Sequence, residues 1–325
     1  MKTKDFQEWT ALLEKLTPAQ RKKLMAELQA REAGDASTIL IESRLGDAAT
    51  CPHCGHGHAV KFGTANGLQR YRCHACKKTF NALTGTPLAG LRHKDKWLAY
   101  AQAMQEGASV RKAAAACEVH RTTSFRWRHR FLALPEGQQA KLLAGIAEAD
   151  ETFFPESRKG SRKLGRKPRK RGGKAAKRGL SEERICVLVA RDRNGATLDA
   201  VPPSLTAKAL KDKLKPVLDR DALLCGDGNP VYTAFVEEAD IAHKALNLSA
   251  GVRVVDRVFH IQNVNAYHSR LKQWMGRFHG VATKYLPNYL GWRRLLEQAP
   301  GGSSQPRGIL LAALGVGYHQ QIMRT

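Results

Sequence analysis

Two cysteine pairs constrain this chain most. Cys51-Pro-His-Cys54 and Cys73-His-Ala-Cys76 are separated by 18 residues. Two C-x-x-C turns at that spacing can set four thiolates around one tetrahedral Zn²⁺. Gly55, Gly57, Gly63 and Gly67 permit the tight turns and the hairpin between them, and Tyr71–Cys73 and Thr79–Phe80 read as short strands. The pattern predicts a zinc ribbon, a piece too small to hold together without its metal. His53, His56, His58 and His74 lie close by and are alternative ligands, but a full set of four cysteines leaves them no required place. Cys117, Cys186 and Cys225 sit in apolar contexts and read as core thiols. This usage is not a secreted disulfide framework.

Charge narrows the partner. The chain has 325 residues, 54 Lys and Arg against 29 Asp and Glu, and a net charge of +25. Such an excess points at a polyanion. From Arg158 to Arg178 there are 12 basic residues in 21, with no acid, and glycines and Pro168 break any regular element. This is expected to be a basic arm, disordered when free, that neutralises phosphates; Arg166, Lys167, Arg169, Lys170 and Arg171 are its densest part. The competing reading is a solvated insert that only aids solubility. Apolar residues at 42% exclude wholesale disorder. The apolar run Ile309–Val316 is far short of the ~20 residues a membrane helix needs. No apolar signal region opens the chain, so a cytoplasmic, nucleoid-associated prokaryotic protein without membrane contact is expected.

The order of elements gives the architecture. Residues 1–46 read as helical, with Thr17-Pro18 as cap and first helical position, and an apolar stripe through Leu12, Leu13, Leu16, Leu24 and Leu28. That segment either docks or dimerises, or packs on the next domain. The ribbon is expected over 47–90. Within 91–135, three short helices with a turn at Glu118-Val119-His120 give a helix-turn-helix pattern. Its third helix carries Arg121, Thr122, Thr123, Arg126 and Arg128, types that reach base edges and phosphates. The other reading is a plain three-helix bundle with a basic face. From 144 to 298 the order is strand, strand, strand, helix, strand, helix, strand, helix, as in a ribonuclease H-like mixed sheet, with the basic insert at 158–179. A tail, 299–325, opens on the linker Gly301–Pro306, and its apolar end is expected to dock back on the core.

Asp150 falls on the first of those strands and Asp227 at the end of the fourth, which are neighbours in such a sheet. Two carboxylates brought together repel, and divalent cations relieve the repulsion. Mg²⁺ or Mn²⁺ prefers oxygen ligands and keeps positions for substrate phosphates. Glu151 is a rival ligand. Successive strand residues face opposite sides, so only one of Asp150 and Glu151 is expected in the site. Asn265, His268, Ser269 and Lys272 share one face of the last long helix. His260 and His268 either touch the site or are packing histidines.

Asp150-Glu-Thr-Phe-Phe154, Cys225-Gly-Asp227-Gly228 and the stretch from His260 to Lys272, behind a ribbon and a helix-turn-helix, resemble the transposases of the IS1595 insertion-sequence family with their ISXO2-like DDE domain. The resemblance implies a ribonuclease H-like fold, a metal-binding triad, cleavage at terminal inverted repeats and strand transfer into target DNA. It implies Asp150 and Asp227 as the first two ligands. The third, an acid in much of the family, falls on Asn265, and Ala266 replaces the usual Gly. An Asn oxygen can ligate Mg²⁺ without charge. Lys272 matches the family's basic residue two turns on and can hold a phosphate; otherwise it is a plain exposed lysine. The expectation is a DNA transposase working as a homo-oligomer on double-stranded DNA. The alternatives are an inactive, transposase-derived DNA-binding regulator and an RNA-binding structural protein, the latter leaving the aspartate pair without a role.

Overall fold

The computed structural model of the chain describes residues 2–46, 49–165, 181, 183–247, 250–297 and 305–316. They fall into two compact units, one drawn from Met1–Glu106, Val110–Trp127 and Gln305–Thr325, the other from Gly107–Ser109 and Arg128–Ser304. The dense part of the basic arm, with Arg166, Lys167, Arg169, Lys170 and Arg171, lies outside the described residues, as does most of the Gly301–Pro306 linker.

The first unit starts with helices α1 (Thr3–Leu13) and α2 (Pro18–Glu42). The side chain of Thr17 caps α2 and Gln20 answers back to the Thr17 backbone, closing a capping box. The apolar stripe is not buried at this end: α1 buries no residue, Trp9 is 57% exposed, and Leu16 and Leu24 are only half-buried. Farther along α2, Leu40 and Ile41 are buried. Strands β1 (Ala59–Ala65), β2 (Leu68–Cys73) and β3 (Thr79–Phe80) form the antiparallel ribbon sheet. Its small core is Ala49, Cys51, Cys73 and Phe80.

Helices α3 (Trp97–Gln105), α4 (Val110–Ala116) and α5 (Arg121–Leu132) follow, at the expected places. Glu118, in the left-handed region with φ 49°, turns the chain from α4 to α5. The buried Ser124 ties the three helices: its hydroxyl donates to Val110 O at 2.9 Å, and its carbonyl accepts from the Tyr100 hydroxyl at 2.6 Å. The apolar end of the tail is a helix, α10 (Pro306–Ala313), which buries Ile309, Leu310, Ala312 and Ala313 and packs on α3 and α2. It does dock, on this unit.

The second unit has a five-stranded mixed sheet. Its strands are β4 (Ile146–Pro155), β5 (Arg184–Asp192), β6 (Thr197–Ala200), β7 (Leu223–Gly226) and β8 (Ala242–Ala245), in the order β6-β5-β4-β7-β8. The first three pair antiparallel, and β4–β7 and β7–β8 pair parallel. This is the ribonuclease H-like order, with the first and fourth strands side by side. One face packs on α6 (Ala207–Leu214) and α7 (Pro230–Ala239) through Ala147, Ala149, Leu188, Leu210, Leu214 and Phe235. α6 stops at Leu214, two residues before Pro216, which has no N–H to extend the helical ladder.

The other face takes α8 (Gln262–Gly276) and α9 (Leu286–Glu297). Arg294 of α9 is fully buried, ion-paired to Asp199 of β6 and donating to the carbonyls of Pro135 and Glu136. α9 also approaches the backbone there closely: a Cβ on Gly291 would lie 2.7 Å from Glu136 N and Pro135 O.

Candidate active site

Among the described residues there are two metal-type clusters, built differently. In the ribbon, the Sγ atoms of Cys51 and Cys76 stand 3.6 Å apart, as do those of Cys54 and Cys73. All four lie within 4.8 Å of one another. A disulfide needs about 2 Å, whereas Zn–S bonds of about 2.3 Å at tetrahedral angles give roughly 3.8 Å between sulfurs. The donor set therefore fits Zn²⁺. Each knuckle turns through a left-handed residue just after its second cysteine, Gly55 and Lys77. Backbone N–H groups of Cys76 and Ala75 help hold the Cys73 thiol down at about 7, while burial and the neighbouring cysteines push Cys54 up to about 11, so the group shares its first negative charge unevenly. The cluster contains the four cysteines and none of the nearby histidines.

The second cluster sits at the end of the mixed sheet. β4 and β7 run parallel with Glu148 opposite Cys225. Two residues on, Asp150 reaches the level of Asp227, which begins the turn after β7. Asp227 Oδ1 accepts the N–H of Asn229, and Asn229 in turn caps α7 through Val231 N, both at 3.0 Å. Gly228 makes this turn possible at φ +80°.

Glu151 joins the cluster as well. Asp150, Glu151 and Asp227 each offer an oxygen, all within 4.8 Å of one another. This corrects the expectation that only one of the adjacent pair would reach the site. The pleat does send Asp150 and Glu151 to opposite faces, but β7 ends at Gly226. Among the described residues β4 pairs with no strand on this side past Glu148, which leaves both carboxylates free to approach Asp227. The side-chain amide of Asn229 holds Glu151 Oε1 at 3.4 Å.

The electrostatics are those of crowded carboxylates. Burial, then the neighbouring acids, push Glu151 up to about 8. Burial, with Asp227 adding to it, pushes Asp150 up to about 6, while Lys272 pulls the other way. A half-buried group of three acids disfavours its own ionisation unless a cation joins it. The donor set is all oxygen, which suits a hard divalent ion.

Helix α8 closes the site on one side. His268 is buried with Nδ1 3.6 Å from Asp150 Oδ2. Burial and the charge of Lys272 hold its imidazole down at about 4. Asn265 is exposed one turn before it, and Lys272 is exposed one turn after. Glu148, two residues before Asp150 on the same strand face, was not singled out from the sequence, although that spacing was its one signal; it holds the first turn of α8.

On α5 the structure separates the basic residues. Arg121, Thr122 and Arg126 are exposed and Thr123 half-buried. Arg128, expected at the DNA surface, is instead fully buried: its guanidinium lies 4.4 Å from the centre of the Trp292 ring and donates to Ala108 O at 2.9 Å. The helix repeat turns it to the apolar side, and stacking on Trp292 makes burial of the cation tolerable.

A ribonuclease H-like sheet with a carboxylate cluster where its first and fourth strands meet, together with a ribbon of four clustered cysteines, defines the class of protein. Residues 142–293 match the ISXO2-like transposase domain, and residues 34–79 match the transposase zinc-ribbon domain. These two domains take in well over half of the chain, which belongs to the IS1595 transposase family. It is similar to an uncharacterized protein in transposable element ISH50 of Halobacterium salinarum, 26% identical over 276 residues, covering 82% of this chain and 92% of the relative. Among solved structures, a pre-cleavage Mos1 transpososome aligns over 66% of this chain and 77% of its own at 13% identity, with a TM-score of 0.19. That score is too low for the two to be compared residue by residue. No helix among the described residues is long and apolar enough to cross a membrane.

Proposed function

We propose that this protein is a DNA transposase that binds the terminal inverted repeats of its element, cuts there and joins the ends to target DNA. The observation that carries the reading is the grouping of Asp150, Glu151 and Asp227 at the sheet's end. These three would hold Mg²⁺ or Mn²⁺, with the Asn265 oxygen as a neutral ligand from α8. A divalent ion there supplies an activated nucleophile and charge neutralisation at phosphorus.

The chain's own residues do the positioning. Lys272, exposed two turns beyond Asn265, holds a phosphate oxygen of the strand being cut. His268, neutral at physiological pH, presses against Asp150 without adding charge to a site that must accept a phosphodiester. Cleavage by water frees a 3′-hydroxyl, which then attacks a target phosphate; both are in-line displacements, so one site serves both. Arg121, Thr122, Thr123 and Arg126 of α5 contact the end sequence, in a helix-turn-helix role, and the basic arm neutralises flanking phosphates. Two ends must be brought together, so the working form is a homo-oligomer on DNA.

Asn265 in place of an acid favours the second reading, an inactive DNA-binding regulator. Glu151 weighs against it, because it returns to the site the third negative charge that α8 lacks. The experiment is direct: the purified chain with Mn²⁺ and a plasmid carrying the inverted repeats that flank its gene. The transposase reading expects strand breaks at the repeat ends. The regulator reading expects salt-dependent binding with no break under any metal.

A further inference from the structure

Glu148 lies on β4 between Ala147 and Ala149 and has no exposed surface. A carboxylate removed from water is costly unless it is paired, and this one is met from several sides. Its Oε2 accepts the backbone N–H of Val264 at 3.0 Å, and its Oε1 accepts from Nδ2 of Asn263 at 3.0 Å. Arg193 Nη1 stands 3.2 Å from Oε1, and His260 Nδ1 stands 3.3 Å from it. Val264 is the third residue of α8, and Ile261 before that helix gives it no side-chain cap. Glu148 therefore does what a capping side chain does, but from a neighbouring strand. Its charge also suits the positive end of the helix.

The spacing gives this contact a second meaning. From Glu148 to Asp150 the strand advances roughly 6.6 Å. From Val264 to His268 the helix advances about 6 Å. The two rises match, so β4 and α8 meet twice in step: Glu148 with Val264, then Asp150 with His268 at 3.6 Å. We infer that Glu148 is a positioning residue that locks α8 in register with β4, and thereby sets Asn265 and Lys272 relative to Asp150. Arg193, in the turn between β5 and β6, braces the clamp and also donates to Val258 O at 2.9 Å. His260, which the sequence left between site and packing, belongs to this clamp. The inference rests on the reading of the carboxylate cluster as a metal centre.

The test uses the full chain and Glu148→Gln, which keeps the shape and one acceptor oxygen but removes the charge. Two quantities are read: hydrogen exchange of the amides of 262–268, and Mn²⁺ affinity from the electron paramagnetic resonance of free Mn²⁺. The expected result is faster exchange in that segment and a Mn²⁺ dissociation constant raised about tenfold, the lower end for groups that orient metal ligands. Zinc content and far-ultraviolet circular dichroism stay unchanged. Should Glu148→Gln fail to fold, Asn263→Ala removes one bond at a half-buried position and is expected to shift both readouts the same way, by roughly two- to fivefold. Wild-type exchange in a folded variant overturns the clamp. Faster exchange with unchanged Mn²⁺ affinity reduces Glu148 to a structural residue and overturns the positioning role. Asp227→Ala is measured alongside: if it too leaves Mn²⁺ affinity unchanged, the metal reading falls, and amide exchange alone decides whether Glu148 holds α8.

Discussion

Nδ1 of His268 stands 3.6 Å from Oδ2 of Asp150, so α8 meets the carboxylate cluster through an imidazole that carries no charge at neutral pH. Lys272 is the residue of that helix that offsets the acids electrostatically. Without a bound cation, Asp150 and Glu151 hold protons more tightly in the folded chain than unfolded, near 6 and 8 rather than near 4. Below about pH 4 both states are protonated and nothing is lost. As pH rises from there through 8, these two acids make folding less favourable, because ionisation is easier in the unfolded chain. His268, held neutral in the fold, acts in the opposite sense up to its ordinary value of about 6.5. Without a divalent ion the protein should therefore lose thermal stability between about pH 6.5 and 8.5, and Mn²⁺ should restore more of it at about pH 8.5 than at about pH 5.5. Scanning calorimetry with and without Mn²⁺ checks this, and an equal gain at both pH values would contradict it.

Arg126 and Arg128 are two positions apart on α5 but differ in burial, so their substitutions should part company. Arg126→Ala should weaken DNA binding and lower the salt slope by about one, with the fold intact. Arg128→Ala empties the place over Trp292 and should lower stability, by roughly 2–4 kcal/mol on the scale of buried large-to-small changes. Binding isotherms at several salt concentrations and urea unfolding separate the two.

The ribbon core is four residues, too few to fold without its metal. Removing zinc, or making Cys73→Ser, should unfold residues 51–80. The mixed sheet should keep its amide protection. Zinc content by mass spectrometry together with hydrogen exchange reads both parts.

Gly291 is needed because α9 lies against the backbone of Pro135 and Glu136. A Cβ there would stand 2.7 Å from main-chain atoms, and a shift of the helix would disturb the buried Arg294–Asp199 pair. Gly291→Ala should cost about 1–3 kcal/mol in urea unfolding, although alanine is the better helix former.

The sheet order and the ribbon were legible in the sequence because both rest on local patterns: alternating apolar strands, and cysteine pairs at fixed spacing. Asp150 and Asp227 were legible because their strands are adjacent in the expected order. Strand alternation made Glu151 a rival of Asp150 rather than its companion, and the alternation holds along β4; residue types do not show that β7 ends at Gly226, so that carboxylates from both faces meet beside Asp227. Arg128 read as a surface base because the helix pattern does not say which arginine stacks on Trp292, a residue far away in the chain. Glu148 escaped notice for the same reason. Its partners Arg193, His260, Asn263 and Val264 come together only in the folded sheet.

If Asp150, Glu151 and Asp227 form one metal-dependent centre for cutting DNA, the rate of strand cleavage at the repeat ends against Mn²⁺ concentration separates the wild-type chain from Asp150→Ala, Asp227→Ala, Glu151→Gln and Asn265→Ala. The two aspartate variants should lose about a thousandfold. Glu151→Gln should demand more Mn²⁺ than Asn265→Ala. Cleavage that persists in Asp227→Ala, or a Glu151→Gln enzyme with wild-type Mn²⁺ dependence, would contradict that shared centre.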